Sequence, residues 1–283
     1  MALFTASAQQ QPCFAQGCLF FLLLPFFLWL TGCAHSPTTA SSATSPLRCP
    51  PLTPSLLCPP LGFAASLPNR SCESVATAEV PTAEIKQRLV QVVNDEWVFF
   101  GQQTLQIEQG IASIPRLGAW EDDAPQYVER IQQYWCAVGR TGFTQSNVCT
   151  QPWSAVFISW AMRQAGVPET VLPSRAAHWQ YLRYLLDHPS PYFRVHERTA
   201  YAPQVGDLIC AVRTEVAWQQ VEQLSRAPMH CDVVVNIEQP YLYAIGGNVR
   251  NSVTKIRVQL DENGKIQLEA GGRPWLLVVE NLY

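Results

Sequence analysis

Residues 203–212 read PQVGDLICAV, and at this stretch the chain changes from a helical to a strand-like pattern. Before it, apolar residues recur with the helical period; after it, short runs rich in β-branched and aromatic residues follow one another. Helices followed by a meander of such strands predict an α+β domain with an antiparallel sheet of five to six strands. The predicted strands span residues 207–212, 231–237, 241–245, 253–260, 265–268 and 276–279, with a hairpin turn at 261–264.

Four helices are predicted before this point, each from apolar residues that recur on one face. The third has the clearest pattern, because Trp153, Val156 and Phe157 begin an i, i+3, i+4 series that Gly166 ends. The face predicted for the first helix consists of Ile85, Leu89, Val92, Glu96 and Phe99. The predicted helices begin near residue 82, span 124–138, begin at 152 or 153, and span 175–186.

The first 81 residues do not have the pattern of a folded domain. Residues 18–30, CLFFLLLPFFLWL, form an apolar run typical of a secretory signal. As a helix this run would rise about 20 Å, which is short of the roughly 30 Å hydrocarbon core of a membrane. Residues 34–81 are rich in Ser, Thr, Ala and Pro and are predicted to be a spacer without a packed core. Residues 82–283 remain as one domain.

The apolar run ends in Leu30-Thr31-Gly32-Cys33, which resembles the lipobox of bacterial lipoproteins. The resemblance implies that residues 1–32 are a signal peptide and that Cys33 becomes an acylated, palmitate-bearing N-terminus. Each buried acyl methylene contributes about 0.8 kcal/mol, so several chains would hold the protein to a membrane. Ala34, where an Asp would favour the inner membrane, implies the periplasmic face of an outer membrane. An ordinary cleaved signal followed by an unmodified Cys33 is the alternative.

Composition excludes some classes of function. The formal net charge is -3 and Lys and Arg form no long run, which disfavours nucleic-acid binding. Ten cysteines indicate an oxidising compartment. No Cys-x-x-Cys occurs, and the histidines do not cluster with acidic or cysteine partners, so neither a metal site nor a cofactor is predicted.

Four cysteines fall in the predicted domain. Cys136 and Cys149 flank a glycine-containing loop and could close it with a disulfide, and Cys210 could pair with Cys231. Pairing cannot be read from sequence, so the map among these four stays open.

Four short motifs occur in a fixed order: PWSA at 152–155, PQVGD at 203–207, MHCD at 229–232 and IGGN at 245–248. Their order and spacing over roughly residues 150–260 resemble the CHAP and NlpC-type cell-wall hydrolases, a papain-like superfamily. The resemblance implies Ser154 as the nucleophile, in place of that superfamily's cysteine. It further implies His230 as the base and Asn248 as the residue that orients the imidazole.

Physical chemistry supports this placement of Ser154. A nucleophile on the first turn of a helix meets unsatisfied N–H groups and the positive end of the helix dipole, which favour a developing oxyanion. A serine cannot be ionised beforehand, so it needs a general base and profits from a buried carboxylate. Asp232 lies two residues after His230, on the same side of the predicted strand, and could supply that carboxylate.

Two further residues are candidates for substrate binding. Trp153 is one of two tryptophans, with Trp179, that could line a groove, and His178 could touch substrate or lie on a helix surface. The sequence therefore predicts a lipid-anchored hydrolase of amide bonds in peptidoglycan peptides, with a Ser-His-Asn/Asp site. The alternative is a catalytically inactive papain-like domain that binds the cell wall or a partner protein.

Overall fold

The computed structural model describes residues 82–283 except 109, 145–146, 214–220, 222–225 and 268–272. The signal peptide, Cys33 and the spacer predicted over residues 1–81 lie outside the described residues. Within the described part of the chain, no helix has both the length and the apolar character needed to span a membrane.

The four predicted helices are confirmed. They are α1 (Ile85–Phe99), α2 (Pro125–Cys136), α3 (Ser154–Ala165) and α4 (His178–Asp187). In α1 the predicted face is buried at Ile85, Leu89 and Glu96, with Val93 buried where Val92 was predicted. Helix α3 ends at Gly166, whose φ of 100° is a left-handed conformation that favours glycine.

The sheet has eight strands. They are β1 (Gln103–Glu108), β2 (Ile111–Arg116), β3 (Phe193–Glu197), β4 (Leu208–Val212), β5 (Met229–Glu238), β6 (Tyr241–Val249), β7 (Ser252–Gln259) and β8 (Trp275–Asn281). Their order is β2-β1-β7-β6-β5-β4-β8-β3, and all neighbours are antiparallel except β1 and β7, which are parallel.

The α+β class is therefore confirmed, but the prediction of a purely antiparallel sheet of five to six strands is wrong. Strands β1, β2 and β3 were not predicted, and β1 makes the sheet mixed through its parallel pairing with β7. The strand predicted over 265–268 is reduced to a single bridge between Leu260 and Ile266. Strands β2 and β3 lie at the two edges of the sheet, where a strand can form with little apolar alternation in its sequence.

Apolar side chains pack on both faces of the sheet. The larger cluster joins α1, α2 and α3 to one face and contains Leu89, Phe157 and Ile245. The smaller cluster contains Ala244 and Ile256. Ile245 and Ala244 are neighbours in β6, and side chains alternate across a strand, so the two clusters cover opposite faces.

One disulfide joins neighbouring strands in the centre of the sheet. Cys210 of β4 and Cys231 of β5 are directly opposite each other, with Cα atoms 4.1 Å apart, and they are bonded. The bridge that the flanking loop suggested between Cys136 and Cys149 does not form, because Cys149 is free. Burial and the nearby Glu121 and Asp122 carboxyl groups raise the pKa of the Cys149 thiol to about 12, while Cys136 is disulfide-bonded.

Candidate functional site

Ser154 is the first residue of α3, and its position is set by the packing around the preceding residue. Trp153 is fully buried, and its indole Nε1 donates a hydrogen bond to Glu121 Oε2 at 2.5 Å. Strand β6 approaches α3 closely at Gly247, where a Cβ atom would lie 2.6 Å from atoms of Trp153 and Phe157. Only glycine allows this approach, which holds the start of α3 against the sheet.

The Ser154 hydroxyl meets a histidine from α4. Ser154 Oγ lies 2.7 Å from His178 Nε2, and His178 Nδ1 lies 2.5 Å from the Tyr181 hydroxyl one turn further along α4. With the neutral imidazole protonated on Nδ1, His178 donates to Tyr181 and accepts the hydroxyl proton of Ser154. Ser154, His178 and Tyr181 thus form a chain of hydrogen bonds that ends on the Ser154 hydroxyl.

A second set of polar groups lies on β5. His230 Nε2 is 2.6 Å from Asp232 Oδ1, and Arg273 Nη1 donates to Asp232 Oδ2 at 2.7 Å. Asp232 is fully buried, so its charge requires these partners. A Cβ atom on Gly246 of β6 would lie 1.7 Å from Asp232 Oδ1, which means that the absent side chain of Gly246 makes room for the ion pair.

The two sets adjoin each other. The rings of His178 and His230 have centroids 5.5 Å apart and are inclined by 62°. We call Ser154, His178, Tyr181, His230, Asp232 and Arg273 the serine–histidine cluster. Within it the Ser154 hydroxyl is bonded to His178, and no hydrogen bond joins it to His230.

Burial and charge set the protonation states of the cluster. Burial, and then the neighbouring His230, lower the pKa of His178 well below its usual range. Burial also lowers the pKa of His230 and outweighs the attraction of Asp232. Burial alone would raise the pKa of Asp232, but His230 and Arg273 hold it below its ordinary value. At neutral pH the cluster therefore contains two neutral imidazoles, a carboxylate and a guanidinium.

Backbone donors complete the surroundings of the hydroxyl. Helix α3 has no side-chain cap, and the amides of Ser154, Ala155 and Val156 donate to no other residue in the described part of the chain. These residues are buried. Unsatisfied amides at the positive end of a helix favour a negative charge next to Ser154.

The structure brings together some of the predicted site residues but not all of them. Ser154, His230 and Asp232 belong to one cluster, but Ser154 bonds to His178 and not to His230, the residue predicted as its base. Asn248 makes no hydrogen bond with His230, because β6 shifts register between Gly246 and Val249 and Asn248 takes a φ of 57°. Asp232 holds the ring nitrogen that Asn248 was expected to hold.

The two predicted substrate-binding residues are both buried. Trp153 is 0% exposed, so it is a core residue and lines no open groove in this structure. His178 is 4% exposed, so the interpretation as a helix-surface histidine is wrong; it is the hydrogen-bond partner of Ser154.

Three residues of the site were missed by sequence reasoning. Tyr181 lies three residues after His178, a spacing that places both on one face of α4 and could have suggested the pair. Arg273 lies 41 positions from Asp232 and has no local motif, so nothing in the sequence points to it. Gly246 stands inside the quoted IGGN motif, but only the contact with Asp232 explains it.

The fold and the site together define a class: an α+β protein whose helix-borne serine meets a histidine beside a buried His–Asp–Arg group. Residues 120–280 match the family described as "Uncharacterized protein conserved in bacteria (DUF2272)". The match covers more than half of the chain and includes every residue of the serine–histidine cluster, and the chain belongs to this family. No curated protein and no solved structure matches it.

Proposed function

We propose that this protein is a membrane-anchored serine hydrolase of amide bonds, with peptidoglycan peptides as its substrates. The observation that carries the proposal is the 2.7 Å contact between Ser154 Oγ and His178 Nε2 at the uncapped start of α3. This distance is within the reach required for proton transfer between a nucleophile and a general base.

The proposed chemistry uses the groups in sequence. His178 Nε2 accepts the hydroxyl proton as Ser154 Oγ attacks the amide carbonyl, and the free amides at the start of α3 stabilise the oxyanion. His178 then gives the proton to the leaving amine, which breaks the C–N bond and leaves an acyl ester on Ser154. Water attacks that ester with the same base, and the acid and the free hydroxyl are released.

The His230–Asp232 pair has an electrostatic role in this scheme. Burial makes the imidazolium form of His178 costly, which would weaken it as a base. The Asp232 carboxylate acts in the opposite direction, since its charge raises the pKa of both histidines. A buried carboxylate near the base is what a serine nucleophile requires in order to stabilise the imidazolium.

The proposed substrate class and the proposed membrane anchor are supported by sequence resemblance. The motifs around Ser154 and His230 support a papain-like architecture and a cell-wall substrate by resemblance, and the lipobox at Cys33 supports the anchor at the periplasmic face of an outer membrane. The disulfide between Cys210 and Cys231 is consistent with an oxidising compartment.

The test compares three forms of the full-length protein: wild type, Ser154→Ala and Ser159→Ala. Ser159 is the matched control, because it is a second buried serine of α3 that bonds to the backbone of Arg175, away from the histidines. Each form is incubated with purified peptidoglycan, and separately with a serine-reactive fluorophosphonate. We expect Ser154→Ala to lose fragment release by at least about a thousandfold and to lose labelling, while Ser159→Ala keeps both. Equal release by wild type and Ser154→Ala would eliminate the proposal.

A non-catalytic binding domain is the second candidate, and one observation favours it. Ser154 is only 7% exposed, so little of the hydroxyl is accessible to a substrate in this structure. A binding domain predicts no fragment release by any form, together with co-sedimentation of the wild type with peptidoglycan. Release by Ser154→Cys but not by wild type would indicate a dormant site with intact geometry.

A further inference from the structure

Arg213 extends the register of β4 past the end of the strand. Ala211 is paired with His230, and the Arg213 amide donates to Pro228 O at 2.8 Å, which continues the same antiparallel register. Alternate residues of a strand project from the same face. The side chain of Arg213 therefore leaves the sheet on the side of Ala211 and His230.

The guanidinium of Arg213 has no partner among the described residues. It is exposed, and no hydrogen bond or ion pair in the described part of the chain involves its side chain. Arg273, the other arginine near His230, is neutralised by Asp232. The charges of Asp232 and Arg273 offset each other, so among the described residues Arg213 adds an uncompensated positive charge on the side of His230.

The charge of Arg213 acts on the reacting groups. It contributes to the lowering of the pKa of both His178 and His230, after the larger effect of burial. Two residues of extended chain separate Arg213 from Ala211, a distance of about 7 Å along the strand. Arg213 is thus a diagonal neighbour of His230 on one side of the β4–β5 pair, and the His230 ring adjoins His178, the hydrogen-bond partner of Ser154.

We propose that Arg213 binds a carboxylate that the substrate carries next to the scissile amide, so that the substrates are acidic peptides. A guanidinium is the side chain best suited to this task, because its planar donors match the two oxygens of a carboxylate. The identity of the scissile bond rests on the proposed function, whereas the binding of the carboxylate does not require turnover.

The experiment measures binding to the full-length Ser154→Ala protein, which cannot use the serine. The probes are stem peptides isolated from peptidoglycan, used as isolated and after conversion of their carboxyl groups to carboxamides. We expect the acidic peptides to bind at least about tenfold more tightly, as for a hydrogen bond between charged groups. Arg213→Gln should abolish this difference, and Arg213→Lys should retain part of it.

The control is Arg88→Gln, which removes the same charge from an exposed arginine that bonds to Gln164 O at the far end of α3. It should leave the tenfold difference unchanged. Equal affinity for the two peptides, binding of neither, or an equal loss for both peptides in Arg213→Gln would overturn the inference. The hydrolase proposal fails separately if the wild-type protein binds acidic peptides more tightly but releases no fragments from peptidoglycan.

Discussion

Gly246 and Gly247 stand side by side in β6 and make room in two directions. A side chain on Gly246 would enter the space of Asp232 and His230, and one on Gly247 would enter that of Trp153 and Phe157. The first glycine admits the ion pair and the second admits the helix that carries the serine. Both contacts are backbone-to-side-chain approaches that no other residue type permits.

The substitution Gly246→Ala tests the first of these contacts. Because the new Cβ would lie 1.7 Å from Asp232 Oδ1, Asp232 must move, and we expect a loss of about 1 to 3 kcal/mol in the free energy of unfolding. We also expect loss of fluorophosphonate labelling at Ser154. Urea unfolding and labelling measure the two effects.

The control for this substitution is Gly139→Ala. Its Cβ would meet nothing within 4 Å, but its φ of 70° is left-handed, so it should lose about 1 to 2 kcal/mol of stability. Labelling of Ser154 should survive there. Gly246→Ala with full labelling would show that the His230–Asp232 pair is not needed for the reactivity of Ser154.

Stability should fall as the pH is lowered through the range where histidines titrate. His178 and His230 have a lower pKa in the folded protein than in the unfolded chain, where it is about 6.5. The two neutral rings therefore contribute their full stabilisation above about pH 6.5. Below that pH the free energy of unfolding falls by up to about 1.4 kcal/mol per pH unit for each ring. Asp232 has a lowered pKa as well, and its contribution is lost only in strong acid.

Urea unfolding from about pH 7.5 to 5 measures this slope. His178→Gln should make the slope below about pH 6.5 roughly half as steep, because one of the two buried rings is removed. A free energy of unfolding that stays constant over the range would contradict the burial of neutral histidines.

The sequence could indicate Ser154, His230 and Asp232 but not the bond that the serine makes. Motif order pointed to Ser154 and His230 at the starts of their elements, and Asp232 followed from its position two residues after His230 in the same strand. The partner of Ser154 is His178. The sequence shows only a histidine at the start of α4, because the contact depends on how α4 packs against α3. The contact between Arg273 and Asp232 could not be predicted either, because it also depends on tertiary packing.

At the scale of elements, strand β2 shows why an edge strand was not predicted. The central strands carry continuous apolar runs, as in β4, where all five residues are buried, and such runs are visible in a sequence. In β2 all six residues are exposed. This strand forms through backbone pairing with β1, so the apolar periodicity of the sequence does not predict it.

A substitution to lysine should destabilise the protein far more at the centre of the sheet than at its edge. Ile111 of β2 is 72% exposed and Ile256 of β7 is 2% exposed. We expect Ile111→Lys to change the free energy of unfolding by less than about 0.5 kcal/mol. Ile256→Lys buries an unpaired charge, and we expect it to prevent folding. Circular dichroism with urea titration measures both. Unfolding by Ile111→Lys would mean that β2 is covered by other parts of the protein.

At the scale of the whole molecule, the change of pattern at residues 203–212 correctly predicted the fold class. Helices α1 to α4 precede the central strands β4 to β8, as expected. The mixed sheet was not foreseen, because the parallel pair of β1 and β7 joins segments about 150 residues apart, and sequence patterns report only local structure.

The proposed lipid anchor makes a prediction about the whole molecule. Cys33→Ala should move the protein from the membrane fraction to the soluble fraction, because acyl chains on Cys33 are the proposed attachment. Immunoblots of separated fractions measure this. Cys49→Ala, a change of the same type in the predicted spacer, should leave the protein with the membrane. Retention of Cys33→Ala in the membrane would contradict the anchor.

The bridge between Cys210 and Cys231 lies at the level of the reacting groups, because Cys231 separates His230 from Asp232 along β5. A reducing compartment keeps thiols reduced, so there the two strands would be joined across this pair by their backbone hydrogen bonds and packing without the bridge. Under the proposed localisation, the bridge would form only after export. Protein harvested from a reducing cytoplasm would then lack the bridge, and assays of the proposed hydrolysis should begin with protein in which Cys210 and Cys231 are oxidised.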